Sequence, residues 1–378
     1  MSQMNNLGLN SFITHPKYLF TFSLSKSKLS KRIIFALVYF KIYFNLKIIN
    51  MLHFKYKKIS SEFKSPFTTA HGKKTHQDAF LVAISFNGYT GFGEAPAIWY
   101  YDVTVEKMEN DLLKNIHLLQ TYAFNEPPRF WHFCEHLYED NPFLVCALDI
   151  AYWDLYAKFK RKKIYELLNI EWGNTPLTNY TLGYDSVENT LKKIDENPMP
   201  IYKIKVGNEN DLEVLRAIKK YTNAIIRIDA NASWNLQYAS EILPELEAMN
   251  IELIEQPFAK ENFKDTKLFA DMTSIPIIAD ESCVSANDVI RCIGNFDGIN
   301  IKLTKCGGIT PAFDMIKVAK ANNLKVMIGN MNETEIGTYA IAQLLPILDY
   351  VDMDGPLLLN TPPLKRLSYD KGAVQILS

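Results

Sequence analysis

Tyr202-Lys203-Ile204-Lys205-Val206 is the stretch from which the fold of this 378-residue chain unfolds. Every position that is not lysine is β-branched or aromatic, and Gly207 follows at once, which marks a short strand ending in a turn. Side chains alternate along a strand, so Lys203 and Lys205 share one face while Tyr202, Ile204 and Val206 share the other. If helices cover the apolar face, both ammonium groups point into one interior. Burial and a neighbouring like charge each lower a lysine pKa, which would suit such a lysine to proton transfer. Taken alone, the stretch reads better as an edge strand with two solvated lysines. Its surroundings reverse that reading.

After Pro176, short apolar strands alternate with helix-length segments. The strands are expected at Tyr180–Leu182, Lys203–Val206, Ile225–Ile228, Leu253–Ile254, Pro276–Ala279, Gly298–Lys302, Lys325–Ile328 and Tyr350–Met353. From the second onward, Lys205, Asp229, Glu255, Asp280, Lys302, Gly329 and Asp352 mark their carboxyl ends at steps of 22 to 27 residues. A step of that size is one strand–helix unit, and its repetition predicts a parallel (β/α)-type barrel of the α/β class. A doubly wound open sheet is the alternative, but no Gly-rich phosphate turn follows the first strand.

The earlier part of the chain has a different rhythm. Ala79–Phe86 is a strand, Asn87-Gly88 a hairpin turn, and Tyr89–Gly93 the return strand. Helical periodicity follows from Val105 to about Lys160. One stripe holds Leu112, Leu113, Ile116 and Leu119; a second, from Val145 to Tyr156, is wide enough for a buried helix. The expected organisation is an extension over 1–50, an α+β unit over 51–160, the barrel over 161–355, and a C-terminal segment, 356–378, packing back on the α+β unit.

Hydrophobic residues make up 48% and charged residues 22%, as in an ordinary soluble globular protein. The net charge of −1 gives no electrostatic case for nucleic acid. Five cysteines, odd in number and without a C-x-x-C pair, suit free thiols in a reducing compartment, so a cytoplasmic protein is expected. Residues 1–50 hold seven Lys or Arg and no acid, with an apolar stretch from Ile33 to Ile49. Its longest uninterrupted run, Ile33–Phe40, is too short to span a bilayer, and no small-residue cleavage site follows. Met51 is therefore expected to be the true start, with a membrane-associated leader as the alternative.

In such a barrel, polar residues at the strands' carboxyl ends form the site. Asp229, Glu255 and Asp280 end three consecutive strands. Three converging carboxylates repel one another unless a cation sits between them, and an all-oxygen set suits Mg²⁺. Lys302 ends the sixth strand, and Lys203 and Lys205 the second. Strands four apart face each other, so lysines flank the metal set on two sides. That suits removing a proton from one face of a carbon and delivering one to the other. A proton beside a carboxylate is weakly acidic, and the resulting enediolate needs a divalent cation's charge.

This ordered set resembles the muconate-lactonising subgroup of the enolase superfamily over residues 52–378. The resemblance implies a (β/α)7β TIM-type barrel with an N-terminal capping domain, and one Mg²⁺ per subunit on Asp229, Glu255 and Asp280. It also implies Lys205 and Lys302 as the acid/base pair with Lys203 assisting, the lysine-plus-Mg²⁺ arrangement known in that superfamily. Asp352 and Asp354, in Val351-Asp352-Met353-Asp354, resemble the Asp-x-Asp with which dipeptide epimerases hold a substrate's α-ammonium. Glu333 falls where relatives place an acid after the seventh strand.

Ser65–Lys74 resembles the capping loop that meets the substrate side chain. Glutamate-specific relatives often carry an arginine there, and none occurs between Phe63 and Phe86. His71, Lys73 or Lys74 could replace it, without arginine's bidentate fork. The expected activity is epimerisation of a dipeptide, L-Ala-D/L-Glu first, which places the enzyme in cell-wall peptide metabolism. A homo-oligomer is expected, with no nucleic-acid or membrane partner. An o-succinylbenzoate synthase or muconate cycloisomerase is the alternative, and a non-catalytic barrel the reading from another class.

Overall fold

A computed structural model describes residues 13–14, 51–69, 72–207 and 211–377. Four antiparallel strands come first, in the order β1 (Ile13–Thr14), β2 (His53–Thr69), β3 (Gly72–Phe86) and β4 (Tyr89–Pro96). Asn87 and Gly88 make the β3–β4 turn with positive φ at both positions, as a two-residue hairpin requires. Ile13 and Thr14 pair with Tyr56 and Lys55 on the edge of β2. The rest of 1–50, including the apolar stretch at 33–49, lies outside the described residues, and among those described no helix is long and apolar enough to cross a membrane.

Helices α1 (Val105–Gln120), α2 (Pro127–Leu137) and α3 (Pro142–Lys160) follow. The α1 stripe buries Met108, Leu112, Ile116 and Leu119. Helix α3 is buried nearly all round, because it is sandwiched. Leu144, Leu148 and Tyr152 join the capping core with Phe80, Val82 and Ile84. Cys146, Ile150, Trp153 and Ala157, at helical spacing, join the barrel core instead. Close approach to β4 depends on two residues: a Cβ on Gly91 or Gly93 would lie 2.0 or 1.9 Å from a carbonyl oxygen of α3.

Eight parallel strands then lie in sequence order: β5 (Tyr180–Leu182), β6 (Ile201–Lys205), β7 (Ile225–Asp229), β8 (Leu253–Glu255), β9 (Ile277–Ala279), β10 (Gly298–Ile301), β11 (Lys325–Ile328) and β12 (Tyr350–Val351). A parallel bridge from Thr178 to Val351 joins the two ends and closes the barrel. The Met353 N–H donates to Thr178 Oγ1 across the same seam at 2.7 Å. Alternation separates two layers of side chains. Ile204, Ile228, Ile254, Ile299 and Ile328 face outward into the core shared with the helices. Leu253, Ile278 and Met327 face inward and, with Tyr350, plug the barrel's base.

Three expected strands end early, β6 at Lys205 rather than Val206. Strand β10 stops at Ile301, so Lys302 is the N-cap residue of the helical turn Leu303–Cys306. Strand β12 stops at Val351, and Asp352–Asp354 lead into the turn Gly355–Leu358. A last hairpin, β13 (Leu367–Asp370) and β14 (Ala373–Ile376), closes the chain. Leu364 packs with Leu81 and Ala83 of β3, and Arg366 pairs with Asp154 of α3 at 2.7 Å.

Candidate active site

Register places the chemistry side by side. Lys205 is the partner of Asp229 across β6–β7, and Asp229 the partner of Glu255 across β7–β8. Lys205 Nζ lies 2.6 Å from Asp229 Oδ2. Lys203 Nζ lies 2.7 Å from Glu255 Oε2 and 3.0 Å from Asp229 Oδ2. On the far side, Lys302 Nζ lies 2.7 Å from Asp280 Oδ2, while Lys305 holds the other Asp280 oxygen and, at 2.6 Å, its carbonyl. Asp229 and Glu255 are fully buried, and Asp280 is 2% exposed.

The donor set fits a hard divalent cation. All three groups are carboxylates, and the buried Glu255 Oε2 has the Lys203 ammonium at 2.7 Å as its ion-pair partner. Asn300, two residues before Lys302 on the inner face of β10, donates to Glu255 Oε1 at 2.8 Å and leaves Oε2 aside. Each acid is paired with a lysine, and among the described residues no three His, Cys, Asp or Glu side chains already enclose one cation-sized point.

The expectation that burial would lower the Lys203 pKa is corrected. Burial does act downward on Lys203, but Glu255, Asp229 and Asp352 together outweigh it and hold the ammonium well above its ordinary value. Lys302 is raised likewise, burial being outweighed by Asp280 and Glu255. Glu255 is pushed up to about 8 by burial and then by Asp229. Asp229 and Asp280 go well below the ordinary range: burial acts upward on each, but Lys205 and Lys203 outweigh it at Asp229, and Lys302 and Lys305 at Asp280. Lysines and acids form one coupled charge cluster.

Above these groups opens a cleft of about 660 Å³, counted with the open space at its mouth. Lys203, Lys205, Asp280, Lys302, Asp352 and Asp354 all line it, and Asp229 and Glu255 lie beneath its floor. Asp352 accepts from Asn179 Nδ2 at 2.9 Å and from Lys203 at 3.2 Å. Asp354 accepts from the Thr181 N–H at 2.6 Å, and Asn330 Nδ2 donates to both acids. Burial and then Asp352 push Asp354 up to about 8. Two carboxylates this close are a receptor for a small cation.

On the capping side, Phe67, Thr69 and Lys74 of the β2–β3 hairpin reach the cleft, as do Ile98, Tyr100 and Tyr101 after β4. Strand alternation explains the split between the two lysines: Lys74 is half-buried over the Tyr100 ring, 5.6 Å from its centroid, and Lys73 is exposed on the other face. Burial, then Lys205 and Lys302, lowers the Lys74 pKa. His71 lies outside the described residues. Glu333 does not line the cleft; its Oε2 accepts the Met331 N–H at 2.6 Å and so shapes the loop from behind.

Several site residues went unnoticed in the sequence. Asn300 shares a strand face with Lys302 and was there to be found by counting in twos. Asn231 and Glu281, beside Asp229 and Asp280 in the chain, also line the cleft. Lys305 follows Lys302 by one helical turn, a spacing that becomes visible only once β10 ends at Ile301.

A family model described as enolase C-terminal domain-like matches residues 186–364. The L-Ala-D/L-amino acid epimerase of Flavobacterium johnsoniae is 41% identical over 303 residues, covering 80% of this chain and 90% of that protein. Among solved structures, the substrate-liganded L-Ala-D/L-Glu epimerase of Bacillus subtilis superposes with a TM-score of 0.81 at 26% identity, covering 87% of this chain and 96% of that one. The dipeptide epimerase of Cytophaga hutchinsonii, complexed with Mg and D-Ala-L-Val, gives 0.80 at 27% identity, covering 85% and 92%. The chain belongs to the dipeptide epimerase family of the enolase superfamily and is an isomerase.

Proposed function

We propose that this enzyme epimerises the C-terminal residue of a dipeptide by a two-base exchange, in which one of Lys205 and Lys302 removes the α-proton from one face and the other delivers a different proton to the opposite face. One observation carries the reading: these two lysines line a single cleft from strands four apart, over three buried carboxylates. Lys205 takes or delivers a proton on one face of the α-carbon and Lys302 on the other. Lys203, buried among the acids, fixes the charge around Lys205. Asp352 and Asp354 receive the α-ammonium, which places the dipeptide's amino end at the barrel seam.

Asp229, Glu255 and Asp280 would hold one Mg²⁺. Bound there, it would supply the positive charge against which a carboxylate takes up further negative charge as its α-proton leaves. Mg in the Cytophaga hutchinsonii structure supports this choice of ion. L-Ala-L-Glu and its D-Glu epimer are the first substrates to try, with Lys74 as the cation nearest the side chain. Ile98, Tyr100 and Tyr101 on the same wall favour apolar second residues as well. Cell-wall peptide turnover, a cytoplasmic setting and a homo-oligomeric state complete the reading. Five free cysteines, four of them buried, support the setting.

The test is to incubate the protein with Mg²⁺ and a panel of L,L-dipeptides in D₂O and follow deuterium at the C-terminal residue's α-carbon. Incorporation with a change of configuration is the expected result. A panel without exchange from any dipeptide would contradict the reading. Exchange without an α-ammonium on the substrate would point to the cycloisomerase class instead.

A further inference from the structure

The end of β6 is held from outside the cleft by Tyr184. Its phenol O–H donates to the Val206 carbonyl at 2.8 Å, one peptide beyond Lys205. Its backbone N–H donates to the Thr68 carbonyl, in the capping hairpin, also at 2.8 Å. The surroundings leave these two links little slack. A Cβ at Gly183 would lie 2.4 Å from Thr68 O. At Gly207, where φ is +136°, a Cβ would lie 2.7 Å from the Tyr184 hydroxyl and 2.3 Å from Ser233 Oγ. The Val206 N–H is already committed to Asp229 O at 3.0 Å, so Val206, the residue after Lys205, is pinned at its N–H by the Asp229 strand and at its carbonyl by Tyr184.

We propose that Tyr184 is a positioning residue that ties the capping hairpin to the end of β6 and so keeps Lys205 aimed at the substrate's α-carbon. The backbone of Tyr184 reaches the hairpin that carries Phe67, Thr69 and Lys74 to the cleft; its side chain reaches the carbonyl beside the base. Lys302 sits across the barrel on a segment with its own anchors, Asp280 and the turn at 303–306. Tyr184 therefore acts on one proton-transfer face only. Proton transfer is steep in distance, and a shift of about 1 Å is enough to slow it by one to two orders of magnitude.

The inference rests on the two-lysine reading above, and the experiment separates the two. Deuterium exchange is measured separately from each stereoisomer of one accepted dipeptide, with Mg²⁺, for wild type, Lys205→Ala and Tyr184→Phe. Lys205→Ala identifies the stereoisomer served by Lys205. Tyr184→Phe is expected to slow exchange of that stereoisomer about tenfold and leave the other within about twofold. Tyr184→Leu, which also lacks the hydroxyl, should show the same one-sidedness. Equal slowing of both stereoisomers, or of neither, overturns the assignment of Tyr184. Loss of both in Lys205→Ala overturns the two-lysine reading itself.

Discussion

Lys203 Nζ lies 3.2 Å from Asp352 Oδ2 and 2.7 Å from Glu255 Oε2, so one buried ammonium touches both the acid assigned to the substrate's amino group and one assigned to the metal. With Asp229 at 3.0 Å, three carboxylates share it. A lone charge in such a place would be very costly; here each group offsets the burial of the others.

Lys203→Met keeps the volume and removes the charge. Because that leaves three buried acids without their common cation, a loss of about 3–5 kcal/mol is expected from urea unfolding without added metal. Mg²⁺ should recover part of the loss by binding the native carboxylates. An unchanged midpoint would contradict the shared-ammonium account.

Lys205→Ala and Lys302→Ala should both abolish net epimerisation. Each should retain α-deuterium exchange from one stereoisomer, and the retained stereoisomers should be opposite. Identical retention in the two variants would place both lysines on one face of the substrate. Mass spectrometry after chiral separation reads this directly.

Much of this was legible in the chain itself. The repeat of strand-end markers gives the barrel because each step must contain one strand and one helix, and the acids and lysines fall in register because they occupy the same position in each step. Two things were not legible. The pKa of Lys203 depends on Asp352, 149 residues away, and no local pattern reveals that partner. The cleft's aromatic wall at Tyr100 and Tyr101 follows no strand or helix period, because it lies on a loop and a single 3₁₀ turn.

Asp149 of α3 caps the helix Ile309–Ala321, accepting from the Thr310 N–H at 3.0 Å and from its hydroxyl at 2.8 Å. Burial pushes its pKa from the ordinary 3.8 up to about 7. The folded state therefore binds more protons than the unfolded state between those values. By linkage, this group's contribution favours folding below about 4 and is lost as pH rises to about 7. Asp149→Asn should flatten that part of the stability–pH curve by at most about 4 kcal/mol, at 1.36 per pH unit. Parallel curves for the two proteins would exclude Asp149 as a titrating group.

Lys74→Met should separate substrates by charge. For dipeptides ending in Glu, kcat/KM is expected to fall about tenfold, the loss of one partly solvated ion pair or about 1.4 kcal/mol. For those ending in Leu it should stay within about twofold. A uniform fall would make Lys74 a structural support of the hairpin rather than a reader of the side chain.

The seam between Thr178 and Val351 has a consequence for synthesis on the ribosome. Asn179 and Thr181 emerge roughly one hundred and seventy residues before the acids they hold, Asp352 and Asp354, and Thr178 as long before its partners Val351 and Met353. Lys203 likewise waits for Asp352. Until the last barrel strand leaves the exit tunnel, the edges of β5 and β11 have no strand to join them, although the lysines and most of the acids have already been made. The Asp352–Asp354 pair and the closed barrel come into being in the same event, so a chain stalled before Asp352 has neither.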